Sequence, residues 1–300
     1  MSSTLSPSVQ RRYGLERVCQ VWRRSRSALY ARRLRQCPDA PPPGRRGPQG
    51  PCADADLVTH IRRVIDHSPF TGEGYRKIWA RLRHGGIRTS RERTRRLMRE
   101  HGLQAPGRPA WPTAQKPHDG AITTETPNEM WGTDMTTTPT ILDGQAAVFI
   151  AIDHCTSQLV GIHAAKRQDR FEALEPIRQG VAMHFGEFEA GAASGLQLRH
   201  DHGSNYMADD FQNEIEFLGI ASSPAFVREP EGNGCAERFI RTLKENLLWV
   251  RHFETIEELR HALLAFQKTY NSQWLLQRHG YRTPDQVFAD LTKQALAAVA

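Results

Sequence analysis

Cysteines are few in this sequence, and long apolar runs are absent. Its five cysteines are scattered and none belongs to a CxxC pair, which disfavours both a disulfide framework and a structural zinc module. The longest apolar run, "AAVFIAI" at residues 146–152, is far shorter than the roughly 20 residues that span a bilayer. The first residues lack the apolar stretch of a secretory signal. We therefore expect a cytoplasmic protein with no membrane partner.

Acidic residues are scarce in the first third of the chain. Residues 1–110 carry a net charge of +16 and the remainder −9, against +7 for the whole chain. All but one of the basic residues in that first part are arginines, whose planar forks match phosphates and base edges. The imbalance predicts a nucleic-acid partner. A solvated basic face is the alternative interpretation.

Two stretches rich in proline and glycine, at residues 37–52 and 105–120, interrupt the pattern of helices and strands. They predict the following organisation: an N-terminal helical DNA-binding segment (residues 1–40), a linker (41–53), a helix-turn-helix-like domain (54–106), a second linker (107–125), an α/β domain (126–290) and a C-terminal tail (291–300).

The segment 54–106 has the apolar spacing of three short helices, and Ser90 is placed to cap the third. A last helix rich in arginine resembles the helix of a helix-turn-helix that lies in the major groove. A helical bundle with a solvated basic helix remains the alternative. The candidate DNA-binding residues on this helix are Arg91, Arg93, Arg95, Arg96 and Arg99.

The segment after the second linker begins with three β-rich runs, "MWGTDMTTTPTI", "QAAVFIAIDHC" and "SQLVGIHAA". Turn signals join these runs, so they predict an antiparallel meander. Helices and strands alternate after it, which predicts an α/β domain built on a mixed five-stranded sheet. Trp131 and Trp249 are expected in its core.

Three carboxylates occupy unusual places in this domain. Asp134 lies in the middle of the first strand, Asp201 follows the fourth strand, and Glu237 lies one turn into a helix. Three such carboxylates can hold a pair of hard divalent cations, which clamp a phosphoryl group during in-line transfer. Together with the basic first part of the chain, they indicate phosphodiester chemistry on DNA.

The stretch "HDHGSNY" allows other roles for Asp201: an acid in a polar surface turn, or a zinc ligand together with His200 and His202. Alternate residues of an extended segment point to opposite sides, and no cysteine pair supports zinc. His202 could also contact a phosphate near the site.

Five motifs taken together resemble a known family: "WGTDMT", "AIDHCTSQLVG", "HDHGSNY", "NGCAERFIRTLKE" and "YNSQWLLQRHGYRTPDQVF". In this order, with 35 residues between Asp201 and Glu237, they are similar to the OrfB transposase of the IS-three insertion-sequence family. That family belongs to the DDE transposases of the retroviral-integrase superfamily. The resemblance implies an RNase H-like catalytic core over residues 126–290, preceded by the helix-turn-helix region.

Carried over by position, the resemblance implies that Asp134, Asp201 and Glu237 are catalytic and bind two Mg²⁺ ions, for which Mn²⁺ can substitute. It places Lys244 and Arg241 at the DNA, whereas a solvated lysine balancing Glu245 is the alternative for Lys244. The chain departs from the family at His200 and His202, where serine and arginine are more usual, and in the wider separation of the Tyr270-Asn271 and Arg278-His279 pairs.

The implied activity is 3′-end cleavage and strand transfer at the ends of an insertion element. The implied partners are element-end and target DNA, further copies of this chain, and an OrfA protein, either separate or fused by frameshifting. The implied location is the nucleoid of a bacterial cytoplasm. A non-catalytic DNA-binding regulator, including a decayed transposase, and a stand-alone nuclease of the same fold are the alternatives.

Overall fold

Two short helices, α1 (Gly14–Val21) and α2 (Arg26–Arg35), form the first of two units in this computed structural model. The structure describes residues 3–36, 52–107, 124–225 and 233–299. The first unit comprises residues 1–49 and the second residues 50–300. Most of both expected linkers lies outside the described residues.

Three helices begin the second unit: α3 (Asp54–His67), α4 (Tyr75–His84) and α5 (Arg91–Glu100). Their apolar faces meet in one cluster that includes Leu57, Ile78 and Leu97. As predicted, Ser90 caps α5, because its hydroxyl accepts a hydrogen bond from the backbone N–H of Arg93 at 3.1 Å. The expected helical domain is confirmed.

The α/β domain is built on five strands: β1 (Met130–Thr140), β2 (Gly144–Asp153), β3 (Leu159–Ala165), β4 (Gln197–His200) and β5 (Ala221–Pro224). Their order across the sheet is β3-β2-β1-β4-β5. The first three strands pair antiparallel, while β4 runs parallel to β1 and β5 parallel to β4. The predicted mixed five-stranded sheet is confirmed.

Helices cover both faces of the sheet. Helices α6 (Arg170–His184) and α7 (Asp209–Phe217) contribute to one apolar cluster, and α8 (Gly234–Leu243) and α9 (Ile256–Gln273) to the other. Successive residues of β2 alternate between the clusters, since side chains along a strand point to opposite faces. The result is a three-layer arrangement in which β2 is buried on both sides.

A π-helical turn (Lys244–Leu248) continues α8, a short 3₁₀ turn (Gln277–His279) follows α9, and α10 (Pro284–Val299) contacts α9. Trp131 is fully buried, as expected, whereas the expectation for Trp249 was wrong. Trp249 lies just past the π-helical turn and is 69% exposed, because the wider turn ends the buried stripe of α8 at Leu248.

The helical domain is docked on the α/β domain through the loop between α3 and α4. In that loop Phe70 is buried, and its ring meets Trp274 edge-on at 4.9 Å and Phe266 at 6.3 Å. The next residue, Thr71, donates its backbone N–H to the side-chain oxygen of Asn246 at 2.8 Å. These contacts join the helical domain to α9 and to the π-helical turn.

Within the part of the chain that the structure describes, no helix combines the length and apolar character needed to cross a membrane.

Candidate active site

The pairing of β1 with β4 brings Asp134 and Asp201 to the same level of the sheet. Gly132 of β1 is paired with Arg199 of β4. Asp134 lies two residues after Gly132, and Asp201 lies two residues after Arg199. Neighbouring parallel strands are about 4.8 Å apart, so this register places the two carboxylates side by side. Asp134 lies within β1, and Asp201 follows the last residue of β4.

Helix α8 is fixed over the same part of β1 by Asn233, the residue before the helix. The Asn233 side-chain amide donates to the carbonyl of Thr133 at 2.8 Å. The approach is close: a Cβ on Gly132 would lie 2.7 Å from Asn233 Oδ1 and 2.8 Å from His154 Nε2. Glu237 lies in the first turn of α8, so this contact carries the third carboxylate towards the first two.

The pKa of Asp134 shows that the three carboxylates share one electrostatic environment. This pKa is raised from 3.8 to about 6, chiefly by burial and in addition by the negative charges of Asp201 and Glu237. A hydrogen bond from the Met135 N–H, at 2.7 Å, and the positive charge of Lys244 act in the opposite direction. The cluster therefore concentrates negative charge beside one lysine.

Asp201 is held in an exposed turn by its own motif. Its Oδ1 accepts the backbone N–H of Gly203 at 2.8 Å. A Cβ on Gly203 would lie 2.8 Å from that same oxygen, so the aspartate-x-glycine spacing serves this turn directly.

His200 supports the turn from inside the domain. It is fully buried, and its ring nitrogen Nδ1 donates to the carbonyl of Asp201 at 2.7 Å. Burial lowers the pKa of His200, so the ring is neutral and Nε2 accepts from the Ser222 hydroxyl at 2.9 Å. His202 is exposed. Both nitrogens of His200 are thus engaged within the fold, which leaves neither for the zinc site considered above.

Lys244 lies where α8 passes into the π-helical turn, and its charge lowers the pKa of Asp134. Arg241 donates a hydrogen bond to Glu245 at 2.9 Å and so lies along the helix surface with that carboxylate. The charge of Lys244, by contrast, acts on Asp134.

The arginines of α5 divide into two groups. Arg93 and Arg96 are half-buried and form ion pairs with Asp54 at 2.7 and 2.8 Å, which ties α5 to the first turn of α3. The other three point outward: Arg91, Arg95 and Arg99. Helical spacing alone does not separate these groups, because Asp54 lies 39 residues from Arg93 and 42 from Arg96 in the chain.

The chemistry of the donor set fits a hard divalent cation, since all three side chains offer carboxylate oxygens. Clustered negative charge that raises the pKa of Asp134 is what a bound cation would relieve. Across the described ranges, no group of three His, Cys, Asp or Glu side chains converges closely enough to hold a metal by itself. A cation here needs further oxygen ligands, as Mg²⁺ commonly takes from water and phosphate.

Several residues that build the site were not singled out in the sequence. Gly132, Asn233 and His154 form the close contact between α8 and β1. Arg278 donates to the carbonyls of His154 and Cys155, each at 2.7 Å, and so fixes the turn that carries His154. The only signals in the sequence were the asparagine before the glutamate helix and the arginine-histidine pair of the tail.

Comparison with protein families gives two matches. A helix-turn-helix-like domain matches residues 52–110, and an integrase core domain matches residues 218–284, which include Glu237.

The chain is also similar to curated proteins of Escherichia coli. Transposase InsD for insertion element IS2D is 28% identical over 287 residues, which cover 92% of this chain and 91% of InsD. An uncharacterized 48.2 kDa protein of insertion element IS2A is 28% identical over 290 residues, and this chain spans 65% of its length. Among solved structures, the catalytic core domain of BIV integrase aligns with 56% of this chain and 99% of its own, at a TM-score of 0.42 and 18% identity.

Both domain matches lie in the second unit. The helix-turn-helix-like match covers the helical domain, and the integrase core match covers the later part of the α/β domain. The similarity to InsD extends over nearly the whole of both chains. The chain is thus similar over nearly its whole length to the insertion-element transposase InsD, and it contains matches to a helix-turn-helix-like domain and to an integrase core domain.

Proposed function

We propose that this chain is a DNA transposase that binds the ends of an insertion element and catalyses metal-dependent 3′-end cleavage and strand transfer. The observation that carries the proposal is the coupling of Asp134, Asp201 and Glu237 beside Lys244. A cluster of carboxylates beside a lysine suits a polyanionic substrate only when cations are held between the acids and the phosphate. The homology to InsD supports the same activity.

Asp134, Asp201 and Glu237 hold the divalent cations in this proposal. Two bound Mg²⁺ ions, or Mn²⁺ in their place, supply charge neutralisation at the transferring phosphoryl group and ease deprotonation of the attacking hydroxyl. In the first step water attacks a phosphodiester and the bond to the 3′ oxygen of the element breaks. In the second, the freed 3′-hydroxyl attacks a target phosphodiester, bonds to its phosphorus and displaces the 3′ oxygen of the target strand. Neither step needs a covalent link between protein and DNA.

Lys244 positions the scissile phosphate through its ammonium group. The exposed arginines of α5, Arg91, Arg95 and Arg99, contact the element end, while Arg93 and Arg96 hold that helix in place. The net charge of residues 1–110 supports DNA as the partner of this part of the chain. The resemblance to OrfB products extends the proposal to a complex of several copies on DNA and to an OrfA partner.

The test is an incubation of the purified protein with Mg²⁺ and a labelled duplex taken from the DNA that flanks its coding sequence. We expect nicked and joined products with the wild-type chain and neither product with Asp201→Asn, which should still bind the duplex. A DNA-binding regulator would bind the duplex and leave it intact in both cases. Nicking that persists in Asp201→Asn would contradict the assigned site.

A further inference from the structure

A cleft of about 460 Å³ opens between the helical domain and the α/β domain, away from the three carboxylates. Helix α4 and the start of α5 form one wall, and the 3₁₀ turn with the two residues after it forms the other. Of the residues that line it, only Arg91 is also assigned a contact with DNA in the proposed function. Its principal lining residues are Trp79, Arg83, His84, Arg91, Gln277 and Tyr281.

The charged side chains that line the cleft are basic. Arg83 and Arg91 lie over the ring of Trp79, with guanidinium carbons 5.0 and 4.4 Å from its centre. Neither arginine is ion-paired with a carboxylate of the described residues, in contrast to Arg93 and Arg96. No Asp or Glu is among the described residues that line the cleft. Stacking on tryptophan leaves the in-plane N–H groups of a guanidinium free for an anion.

Tyr281 is a second, independent sign of a ligand. It is only 6% exposed, and its buried hydroxyl has no hydrogen-bond partner among the described residues. An unsatisfied buried hydroxyl costs about 1–3 kcal/mol, so a residue with this defect is expected where a ligand completes it. Its backbone is also strained, with φ at 67°, a value that side chains other than glycine rarely adopt.

Two arginines stacked on an aromatic ring, beside a buried hydroxyl that lacks a partner among the described residues, suit one negatively charged group with several acceptor oxygens. We infer that this cleft binds a phosphate of the DNA backbone, next to the DNA that α5 contacts. The inference rests on the proposed function, because it takes the anion to be DNA. Since the cleft lies where the two domains meet, a phosphate held there is contacted by both of them at once.

The test measures binding of a fluorescein-labelled duplex, taken from the DNA flanking the coding sequence, over a series of salt concentrations without Mg²⁺. The double variant Arg83→Ala/Arg91→Ala should lower the magnitude of the salt-dependence slope by about 1, as the loss of one phosphate contact requires. Between about 50 and 200 mM salt, its difference in affinity from the wild type should then narrow by about three- to fourfold. The matched control Arg62→Ala/Arg63→Ala removes the same charge from exposed positions of α3 outside the cleft, and should change the slope much less.

Tyr281→Phe removes the hydroxyl and no charge. It should weaken binding about two- to tenfold at an unchanged slope, which general electrostatic attraction would not produce. Circular dichroism and thermal melting verify that each variant is folded, and Arg83→Lys/Arg91→Lys should restore most of the slope.

Equal slopes for the cleft variant and the α3 control would overturn the inference. So would calorimetry in which inorganic phosphate alone binds the wild type and not the cleft variant while duplex binding is the same for both, since the site would then take a free anion. Because the assay contains no Mg²⁺, a chain that binds through the cleft but never cleaves would count against the proposed function alone. A wild-type chain that bound no duplex would count against both.

Discussion

Asp134 carries its carboxylate at a position that disfavours the ionised form. Its pKa of about 6, against 3.8 for an ordinary aspartate, means that the folded chain holds a proton there more tightly than the unfolded chain does. Between those two pH values the contribution of Asp134 to the stability of the metal-free protein therefore falls as the pH rises. Above about pH 6 the ionised cluster remains a destabilising feature until a cation neutralises it.

Replacing Asp134 by Asn should raise the free energy of unfolding of the metal-free protein at neutral pH by up to about 2–3 kcal/mol, following about 1.4 kcal/mol per pKa unit. The same variant should lose cleavage and joining. Urea denaturation in EDTA measures the first effect. Asp143→Asn is the control, because Asp143 accepts the N–H of Ile256 at 2.8 Å far from the cluster and an amide oxygen can replace it. If the Asp134→Asn variant were no more stable than the wild type, the ionised Asp134 carboxylate would not destabilise the metal-free protein, contrary to this prediction.

Gly132 has to be glycine for Glu237 to reach its position. Gly132→Ala would place a methyl group within 2.8 Å of both Asn233 and His154, so the start of α8 must shift. We expect a loss of about 1–3 kcal/mol of stability, as for other overpacked sites, and a large loss of cleavage. Gly234→Ala is the matched control at the start of the same helix, where a Cβ has no neighbour within 4 Å. Equal stability of the two variants in urea denaturation would refute the requirement for glycine at position 132.

At the scale of elements, the end of α6 contains a histidine in apolar surroundings. His184 stands 4.8 Å from the ring of Phe288 and 6.0 Å from that of Trp131, and burial lowers its pKa from 6.5 to about 4. The unfolded chain takes up this proton first as the pH falls. The contribution of His184 to stability should therefore decline from about pH 6.5 towards pH 4, opposite in sign to that of Asp134.

Compared with the wild type, His184→Gln should lose less stability as the pH falls over that range, while the contributions of His200 and His279, whose pKa burial also lowers, remain. Urea denaturation at a series of pH values is the measurement. His261→Gln, an exposed position on α9, should leave the slope as it is in the wild type. A His184 variant with the wild-type slope would show that this ring is protonated equally in both states.

The elements themselves could be predicted because their signals are local. Ser90 precedes its helix, β2 is a continuous apolar run, and Asp201 follows a short strand before a glycine. Trp249 was misplaced because the change from α-helix to π-helix depends on tertiary packing. The ion pairs of Arg93 and Arg96 were missed for a related reason, since helical spacing alone cannot show which basic side chains have partners elsewhere in the fold.

At the scale of the whole molecule, the docked helical domain is the main feature that the sequence did not predict. The loop "SPFTGEG" is a break between helices in the sequence, yet its Phe70 enters the core of the α/β domain. Glu73, in the same loop, is buried and bonded to Arg81 at 2.6 Å, and Arg81 also donates to the carbonyl of Gln273. A buried loop aromatic has no periodic signature, so only the tertiary structure shows it.

Phe70→Ala should release the helical domain from the α/β domain, at a cost of about 3–5 kcal/mol for a buried phenylalanine. We expect duplex binding to persist, because both domains remain folded, while strand joining falls by more than tenfold. Small-angle scattering should show a larger radius of gyration. Phe171→Ala, at a half-exposed position on α6, is the control. Joining that falls only as far as binding would argue against a role for docking in the reaction.

The docked arrangement fixes the distance between the helical domain and the three carboxylates, and with it the spacing along bound DNA. If one duplex runs from α5 to the carboxylates, the number of base pairs between the bases that are read and the bond that is cut is set by the protein, whether the two sites belong to one copy or to two. Inserting about 5 base pairs between them turns the scissile phosphate to the far side of the double helix, because a turn takes about 10. Inserting a full turn returns the scissile phosphate to the original side of the double helix but leaves it farther from the bases that are read.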